Sequence, residues 1–187
     1  MPSREHPSPH RFTSEQWLPY PVEVVFAFFA QPENLPRLAP KWQKLRIEEA
    51  MFRSPGPRPQ SQFAMRSFAA GAGTRLTISF RPAPLSPVRW PWHLRIAEFV
   101  WNEHFCDEQE EGPFAYWRHC HSVRAEERDG SAGTLLRDAV EYALPFEPVS
   151  NLVNAIAIRP MLKQMFNYRH KRIVELLNNM AMQFKSA

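Results

Sequence analysis

The segment from about Ser150 to Phe184 places the strongest constraint on the fold of this 187-residue chain. It contains a single proline, Pro160, and its apolar residues recur mostly at spacings of three, four or multiples of these: Leu162, Met165, Ile173, Leu176 and Met180. Because an α-helix turns once in about 3.6 residues, this pattern predicts one long amphipathic helix. Ser150 is available as its N-cap, and Pro160 predicts a bend near its beginning.

The segments before this helix show the two-residue periodicity of β-strands. From Arg75 to Arg81, apolar Leu76, Ile78 and Phe80 alternate with polar residues, which places them on one face of a strand. The turn Glu111-Gly112-Pro113 is a hairpin signal. The predicted strands are His10 to Leu18, Leu45 to Ala50, Arg75 to Arg81, Trp90 to Val100, Phe99 to Asp107, Phe114 to Glu127 and Thr134 to Leu144.

Two short helices are predicted directly after the first strand. Pro21 to Ala30 begins with a proline and carries one apolar stripe, and Glu33 to Leu38 ends before Pro40. The whole order predicts an α+β helix-grip fold, in which a curved antiparallel sheet of six or seven strands wraps around the long C-terminal helix. We expect one domain over residues 10–187 and a disordered tail over residues 1–9. A curved sheet cannot pack flat along one helix, so the gap between them predicts a ligand cavity.

Composition excludes several classes of protein. The net charge is only +4, with acidic and basic residues mixed, so we expect no nucleic-acid partner. The N-terminus has no apolar signal segment, and the longest apolar stretch is too short to span a bilayer, so we predict a cytoplasmic protein without stable membrane insertion. The sequence carries no GxGxxG, Walker or GxSxG motif, so we predict no cofactor. Whether the chain forms a homodimer stays open.

The two cysteines, Cys106 and Cys120, form neither a disulfide framework nor a CxxC metal pair. If the hairpin is centred between Glu110 and Pro113, Cys106 lies opposite a residue near Trp117 and away from Cys120. We therefore predict two reduced, semi-buried thiols.

Three motifs resemble a known superfamily. Phe105 to His121 is similar to the pattern F-x-D-x-Q-x-x-G-P-F-x-x-W-x-H-x-H of bacterial SRPBCC proteins, which are relatives of START lipid-transfer domains and birch-pollen-allergen-type proteins. Gly133 to Pro145 matches G-T-x-x-x-D-x-V-x-Y-x-x-P, and Pro21 to Phe29 matches P-x-x-x-x-F-x-x-F. The group includes cyclase/dehydrase-like and cell-division-inhibitor-like members. The resemblance implies the same helix-grip fold and a ligand-binding cavity, although Met51 to Ala72 looks longer than the group's norm.

The most concentrated set of polar residues lies on two predicted strands. Trp117, His119 and His121 are two residues apart and share one face, as do Asp138, Val140 and Tyr142 on the next strand. We predict that both faces point inward. The predicted ligand-binding residues are Trp92, Leu94, Phe105, Trp117, His119, His121, Asp138, Val140, Tyr142 and Met165.

Three interpretations of the polar residues stay open. They hydrogen-bond one another as a structural network, they orient a ligand, or they catalyse a reaction in which His119 or His121 moves a proton and Asp138 fixes its tautomer. A metal site on His119 and His121 normally needs a third protein ligand, which Asp138 could supply, but no HExxH or CxxC motif accompanies the pair, so we predict no metal site. Asp107 and Gln109 flank the tight turn, and we predict that they satisfy its amides; the alternative is a position at the rim of the cavity.

These observations favour a protein that binds or carries a small hydrophobic molecule, such as a lipid, an isoprenoid or a polyketide-like compound. The first alternative is a cofactor-independent cyclase or dehydratase that uses His119 or His121 with Asp138. The second is a protein-interaction module whose cavity is closed.

Overall fold

The alternating segments of the sequence form one sheet in the computed structural model, which describes residues 9–60, 69–145 and 149–185, with side chains up to residue 180. Apart from Pro9, the predicted tail lies outside the described residues. Within the described ranges, seven strands pair antiparallel in the order β1-β7-β6-β5-β4-β3-β2. Their bounds are β1 His10–Leu18, β2 Arg46–Met51, β3 Arg75–Phe80, β4 Trp90–Val100, β5 His104–Glu111, β6 Tyr116–Arg128 and β7 Ser131–Ala143.

Alternation along the strands sets the inner face of the sheet. On β3, Leu76 and Ile78 are buried, whereas the intervening Thr77 is half-buried on the outer face. Register shifts occur in β2 between Ile47 and Glu49, and between β4 and β5 in two places. Such irregularities bend strands and increase their twist, and the sheet wraps around the C-terminal helix. The predicted helix-grip fold is confirmed.

Two short helices follow β1, as predicted. Helix α1, Val22–Phe29, begins directly after Pro21, and its residues from Val25 to Phe29 are buried. A 3-10 turn at Pro32–Asn34 leads into α2, Leu35–Leu38, and a second 3-10 turn covers Lys41–Gln43. These elements form the end wall of the space between sheet and helix.

The C-terminal helix has an irregular first part. Helix α3, Ser150–Val153, continues through a π-helical turn, Asn154–Ile158, into α4, Arg159–Lys185. Val149 occupies the N-cap position, so the predicted cap at Ser150 is wrong, and Ser150 is buried inside the first turn. The wide turn lies just before Pro160, which lacks an N–H and would clash with a carbonyl one turn earlier in a regular helix. Among the described helices, none combines the length and the hydropathy that a membrane span requires.

The β5–β6 hairpin corrects one prediction. Strand β5 ends at Glu111 and β6 begins at Tyr116, so the connection is longer than a tight turn at Gly112. This longer connection moves the hairpin centre to Pro113 and pairs Cys106 with Cys120. Their Cα atoms are 4.0 Å apart, and the two residues form a disulfide. The predicted pair of free thiols is therefore wrong.

Candidate functional site

A cavity of about 520 Å³ lies between the inner face of the sheet, the short helices and the C-terminal helix. Most of the side chains around it are apolar, and many are aromatic. The cavity extends to the exposed residues Trp90 and Pro145 and therefore reaches the protein surface there. Its polar lining side chains are Gln31, Asn34, Gln43, Asp107, His119, His121, Ser150 and Arg169.

The structure brings most of the predicted binding residues to this cavity. Those that line it are Trp92, Leu94, Phe105, Trp117, His119, His121 and Met165. They come from β4, β5, β6 and α4, so the cavity wall is built by elements far apart in the sequence. The wall combines large aromatic rings, including Trp92 and Trp117 with ring centroids 4.9 Å apart, with a small number of polar groups.

Three predicted binding residues point inward but do not line the cavity: Asp138, Val140 and Tyr142. Val140 belongs to the same buried cluster as Leu162 and Phe166 of α4. The Tyr142 hydroxyl donates a hydrogen bond of 2.6 Å to Oδ1 of Asn154, at the π-helical turn. The C-terminal helix therefore packs against this part of β7, and these residues support the wall from behind.

His119, His121 and Asp138 form a compact buried network. The register places Asp138 directly opposite His121, and His119 opposite Val140, two residues further along β7. The Asp138 carboxylate is therefore within reach of both imidazoles. Oδ1 of Asp138 is 3.0 Å from Nε2 of His119 and 2.6 Å from Nδ1 of His121. The two imidazole centroids are 4.0 Å apart. Because both imidazoles line the cavity and Asp138 lies behind them, the carboxylate can fix their orientation without contacting a bound molecule.

Asp107 joins this network, which the sequence analysis missed. Its Oδ1 lies 3.9 Å from Nδ1 of His119 and 3.8 Å from Nε2 of His121. The corrected hairpin register places Asp107 directly opposite His119. The prediction of a turn role is correct for Gln109, whose side chain donates to the Phe114 carbonyl and accepts from the Phe114 N–H, at 2.7 and 3.3 Å.

Arg169 is the second residue that the sequence analysis missed. The basic run Arg169-His170-Lys171-Arg172 predicts the solvated side of an amphipathic helix, yet the side chain of Arg169 is 13% exposed and lines the cavity. Its guanidinium lies 3.8 Å from Asp138 and over the rings of Phe29 and Phe166. The sequence signal for this inward position is the spacing of Arg169, which follows Phe166 by three residues and precedes Ile173 by four and so lies on the buried stripe of the helix.

Burial and charge act in opposite directions on the acids and imidazoles of this network. Burial favours a neutral Asp138, but the Arg169 guanidinium and His121 outweigh it and hold the pKa of Asp138 well below its usual range. Burial and the neighbouring His121 lower the pKa of His119. Burial also opposes charge on His121, but the carboxylates of Asp138 and Asp107 raise its pKa. The pKa of Asp107 is lowered, because its histidine neighbours outweigh its burial.

This arrangement offers one neutral and one more basic imidazole beside an apolar cavity. Such a pair can accept and donate protons, hold a carbonyl or hydroxyl group, or present nitrogen ligands. Oδ2 of Asp138 and Nε of Arg169 are buried and have no hydrogen-bond partner within the described part of the chain.

The comparisons with known proteins agree with this architecture. The family model described as polyketide cyclase / dehydrase and lipid transport matches residues 18–167, well over half of the chain. The chain belongs to this family. A search among curated proteins returns no significant match.

Several solved structures are similar to this family member. One is Ara h 8.0201, which has 15% sequence identity and a TM-score of 0.57; the match covers 92% of this chain and 99% of that one. Protein CV1439 from Chromobacterium violaceum has 16% identity and a TM-score of 0.60, covering 90% and 97%. TTHA0849 from Thermus thermophilus has 17% identity and a TM-score of 0.54, covering 89% and 99%. These likenesses concern the fold, and with the family match they confirm the predicted SRPBCC superfamily.

Proposed function

We propose that this protein binds a small, largely apolar molecule in the cavity between its sheet and its C-terminal helix. The observation that carries the proposal is the cavity itself, because about 520 Å³ of space is enclosed mainly by aromatic and aliphatic side chains. This volume falls within the range of roughly 300–1,000 Å³ that is typical of small-molecule sites. The family description, which includes lipid transport, supports the same function.

The lining also suggests the chemistry of the ligand. Trp92, Leu94 and Trp117 offer apolar surface, whereas His119, His121 and Arg169 provide polar groups. A molecule with a hydrocarbon or fused-ring body and one carbonyl, hydroxyl or carboxylate end would satisfy both regions. A lipid, an isoprenoid or a polyketide-like compound fits this description. An interaction module with a closed cavity is less favoured, because the cavity has a volume of about 520 Å³ and reaches the surface.

A fluorescence titration with a dansyl-labelled medium-chain fatty acid, followed by displacement with unlabelled decanoic acid, tests the proposal. The informative variants are adjacent on β4, where Leu94 lines the cavity and Arg95 forms an ion pair with Glu108 on the outer face. Leu94→Trp fills part of the cavity and should weaken binding at least about tenfold, which is about 1.4 kcal/mol. Arg95→Trp introduces the same side chain outside and should leave the affinity within about twofold, since exposed ion pairs contribute little.

Circular dichroism spectra should first show that both variants keep the fold. Equal affinities for Leu94→Trp and Arg95→Trp would argue against binding in the cavity. No saturable binding by the wild type, across fatty acids, fatty alcohols and fused-ring ketones, would contradict the proposed function itself.

Proton transfer is a second candidate function, favoured by the position of both imidazoles in the cavity wall with Asp138 behind them. The family description also names cyclases and dehydrases. In such a reaction, one imidazole would remove a proton from the carbon next to a bound carbonyl, and the other would donate a proton to the carbonyl oxygen. This step is the beginning of an aldol-type cyclisation.

Exchange of these α-protons in D₂O, followed by NMR on a medium-chain methyl ketone, tests the second candidate. The wild type should accelerate exchange, and His119→Ala and His121→Ala should abolish the acceleration while retaining fatty-acid binding. If the wild type exchanges no faster than free imidazole at equal concentration, the residues serve binding alone.

A further inference from the structure

The two imidazoles each direct one nitrogen towards Asp138 and the other towards Asp107. Nδ1 of His119 and Nε2 of His121 face Oδ1 of Asp107 at 3.9 and 3.8 Å, which is beyond the range of a direct hydrogen bond. One ligand atom from each of the three residues lies within 4.8 Å of the other two. Two nitrogens and one carboxylate oxygen therefore surround a common point at the cavity wall.

Asp138 prepares these nitrogens for such a role. It contacts Nε2 of His119 and Nδ1 of His121, at 3.0 and 2.6 Å. A carboxylate that accepts the N–H of an imidazole fixes the tautomer and leaves the lone pair on the other nitrogen. For His119 the remaining lone pair is directed to the side of Asp107. Nδ1 of His121 lies beside both Asp138 and the Arg169 guanidinium, the latter at 3.3 Å, and its Nε2 faces Asp107. Metal-binding histidines in proteins almost always have such an outer carboxylate, carbonyl or water.

The charge balance of the cluster also favours a bound cation. Asp107 and Asp138 contribute two carboxylates, and Arg169 is the cation in contact with Asp138, at 3.8 Å. Either a proton on an imidazole or a metal ion would balance the one negative charge that the guanidinium leaves over in this half-buried to fully buried group. Burying such a charge without a partner is costly. A cation beside Asp107 would neutralise it.

We propose that Asp107, His119 and His121 bind a divalent transition-metal ion at the cavity wall. Two imidazole nitrogens and one carboxylate suit zinc or iron(II), and three protein ligands leave coordination positions open. Metal–ligand bonds of about 2.0–2.1 Å require ligand atoms about 3.3 Å apart in a tetrahedral site, so Asp107 would approach each imidazole nitrogen by about 0.5 Å and the two rings would adjust to the ion. Asp138 is the outer-shell residue, since it lies behind the imidazoles rather than in the cavity wall.

The open coordination positions would face the cavity, where the polar end of a bound molecule would lie. The inference does not require the proposed hydrophobic ligand, because metal binding and fatty-acid binding are measured separately. It does compete with the second candidate function, since the ion would occupy the two nitrogens that proton transfer would use.

Isothermal titration of tag-free, chelator-treated protein with ZnCl₂ tests the site, and Co²⁺ serves as a coloured substitute that reports its coordination. The wild type should bind one ion per chain, and Co²⁺ should give the visible absorption of nitrogen–oxygen coordination. Asp107→Asn and His121→Gln should remove this binding. Asp138→Asn should weaken it by about 10- to 100-fold, as expected for an outer-shell residue.

The matched control is His104→Ala. His104 lies on β5 three residues before Asp107, and its ring faces Glu98 on the outer side of the sheet. This variant should bind zinc like the wild type. Absence of stoichiometric zinc binding by folded wild type would overturn the inference. Unchanged affinity in Asp107→Asn, with circular dichroism confirming the fold, would also overturn it, because the ion would then be held elsewhere.

Discussion

At the scale of single residues, Asp138 is the buried anion on which the polar network depends. Its carboxylate contacts both histidines and lies near Arg169, so its ionised form is stabilised by neighbours on β6 and α4. A buried charge network of this kind is costly to break, because removal of one member leaves the others uncompensated. Asp138 therefore stabilises the side chains of the cavity wall, although it does not line the cavity itself.

Asp138→Asn should lower the free energy of unfolding by about 3 kcal/mol at pH 7. Because the pKa of Asp138 is depressed in the folded protein, its contribution is present above the unfolded-state pKa of about 3.9 and is lost as the pH falls through the folded value. The difference between wild type and variant should therefore shrink below about pH 4. Urea unfolding at several pH values, with a chelator present, measures it.

The control for this experiment is Asp129→Asn, in the exposed turn between β6 and β7. Asp129 has a φ of 50°, a conformation that asparagine tolerates well, so this variant should match the wild type. A stability difference for Asp138→Asn that stays constant from pH 7 to pH 3 would contradict the assigned ionisation.

At the scale of the helix, α4 turns Arg169 inward and leaves Lys171, two residues later, outside. Arg169 lies on the buried face, whereas Lys171 is exposed. Arg169→Met should destabilise the fold by about 2–3 kcal/mol, because Asp138 loses its cation, and Lys171→Met should change stability by less than about 0.5 kcal/mol. Chemical denaturation of the two variants provides the comparison. Equal effects would show that the Arg169 charge is not coupled to the network.

At the scale of the hairpin, the disulfide fixes the pairing of β5 with β6. The bond spans a sequence separation of 14, and closing a loop of that length stabilises a protein by about 3 kcal/mol. Reductant should lower the unfolding free energy of the wild type by up to this amount and should not affect a Cys106→Ser/Cys120→Ser double variant. Two titratable thiols in the unreduced, denatured protein would contradict the bond.

In the β5–β6 hairpin, the face of each side chain could be predicted from the sequence, but the register of the two strands could not. Alternation assigned Trp117, His119 and His121 correctly to one face, because side-chain direction has a period of two. Register depends on the length of the connection, and a longer loop at Gly112 moved Cys106 opposite Cys120 and Asp107 opposite His119. A small shift thus hid both the disulfide and the place of Asp107 in the site.

Tertiary packing explains the remaining differences. Val140 and Tyr142 face inward as predicted, but α4 and the π-helical turn pack against them and separate them from the cavity. The path of a helix across a sheet is set by contacts between distant elements, which local periodicity does not encode. The motifs from Phe105 to His121 and from Gly133 to Pro145 were sufficient to predict the superfamily and its architecture.

At the scale of the whole molecule, one sheet and one helix are held apart far enough to leave a cavity of about 520 Å³. Among the described residues, two buried clusters pack the fold, one around α1 and the later turns of α4, and the other around Trp117, Tyr142 and Leu162. Side chains that face the cavity have no packing partner on that side within the protein, so binding of a molecule that contacts them should raise the melting temperature.

The most direct test of the cavity-binding function is a methyl NMR titration of the full chain with decanoic acid. Binding inside the fold predicts that the shifts concentrate at methyl groups lining the cavity, such as Ile78 and Leu94, and that Leu94→Trp removes them. The exposed methyl groups of Leu85 and Leu152 should stay unchanged. Shifts confined to those exposed residues, with Ile78 and Leu94 unaffected at saturation, would contradict binding inside the fold.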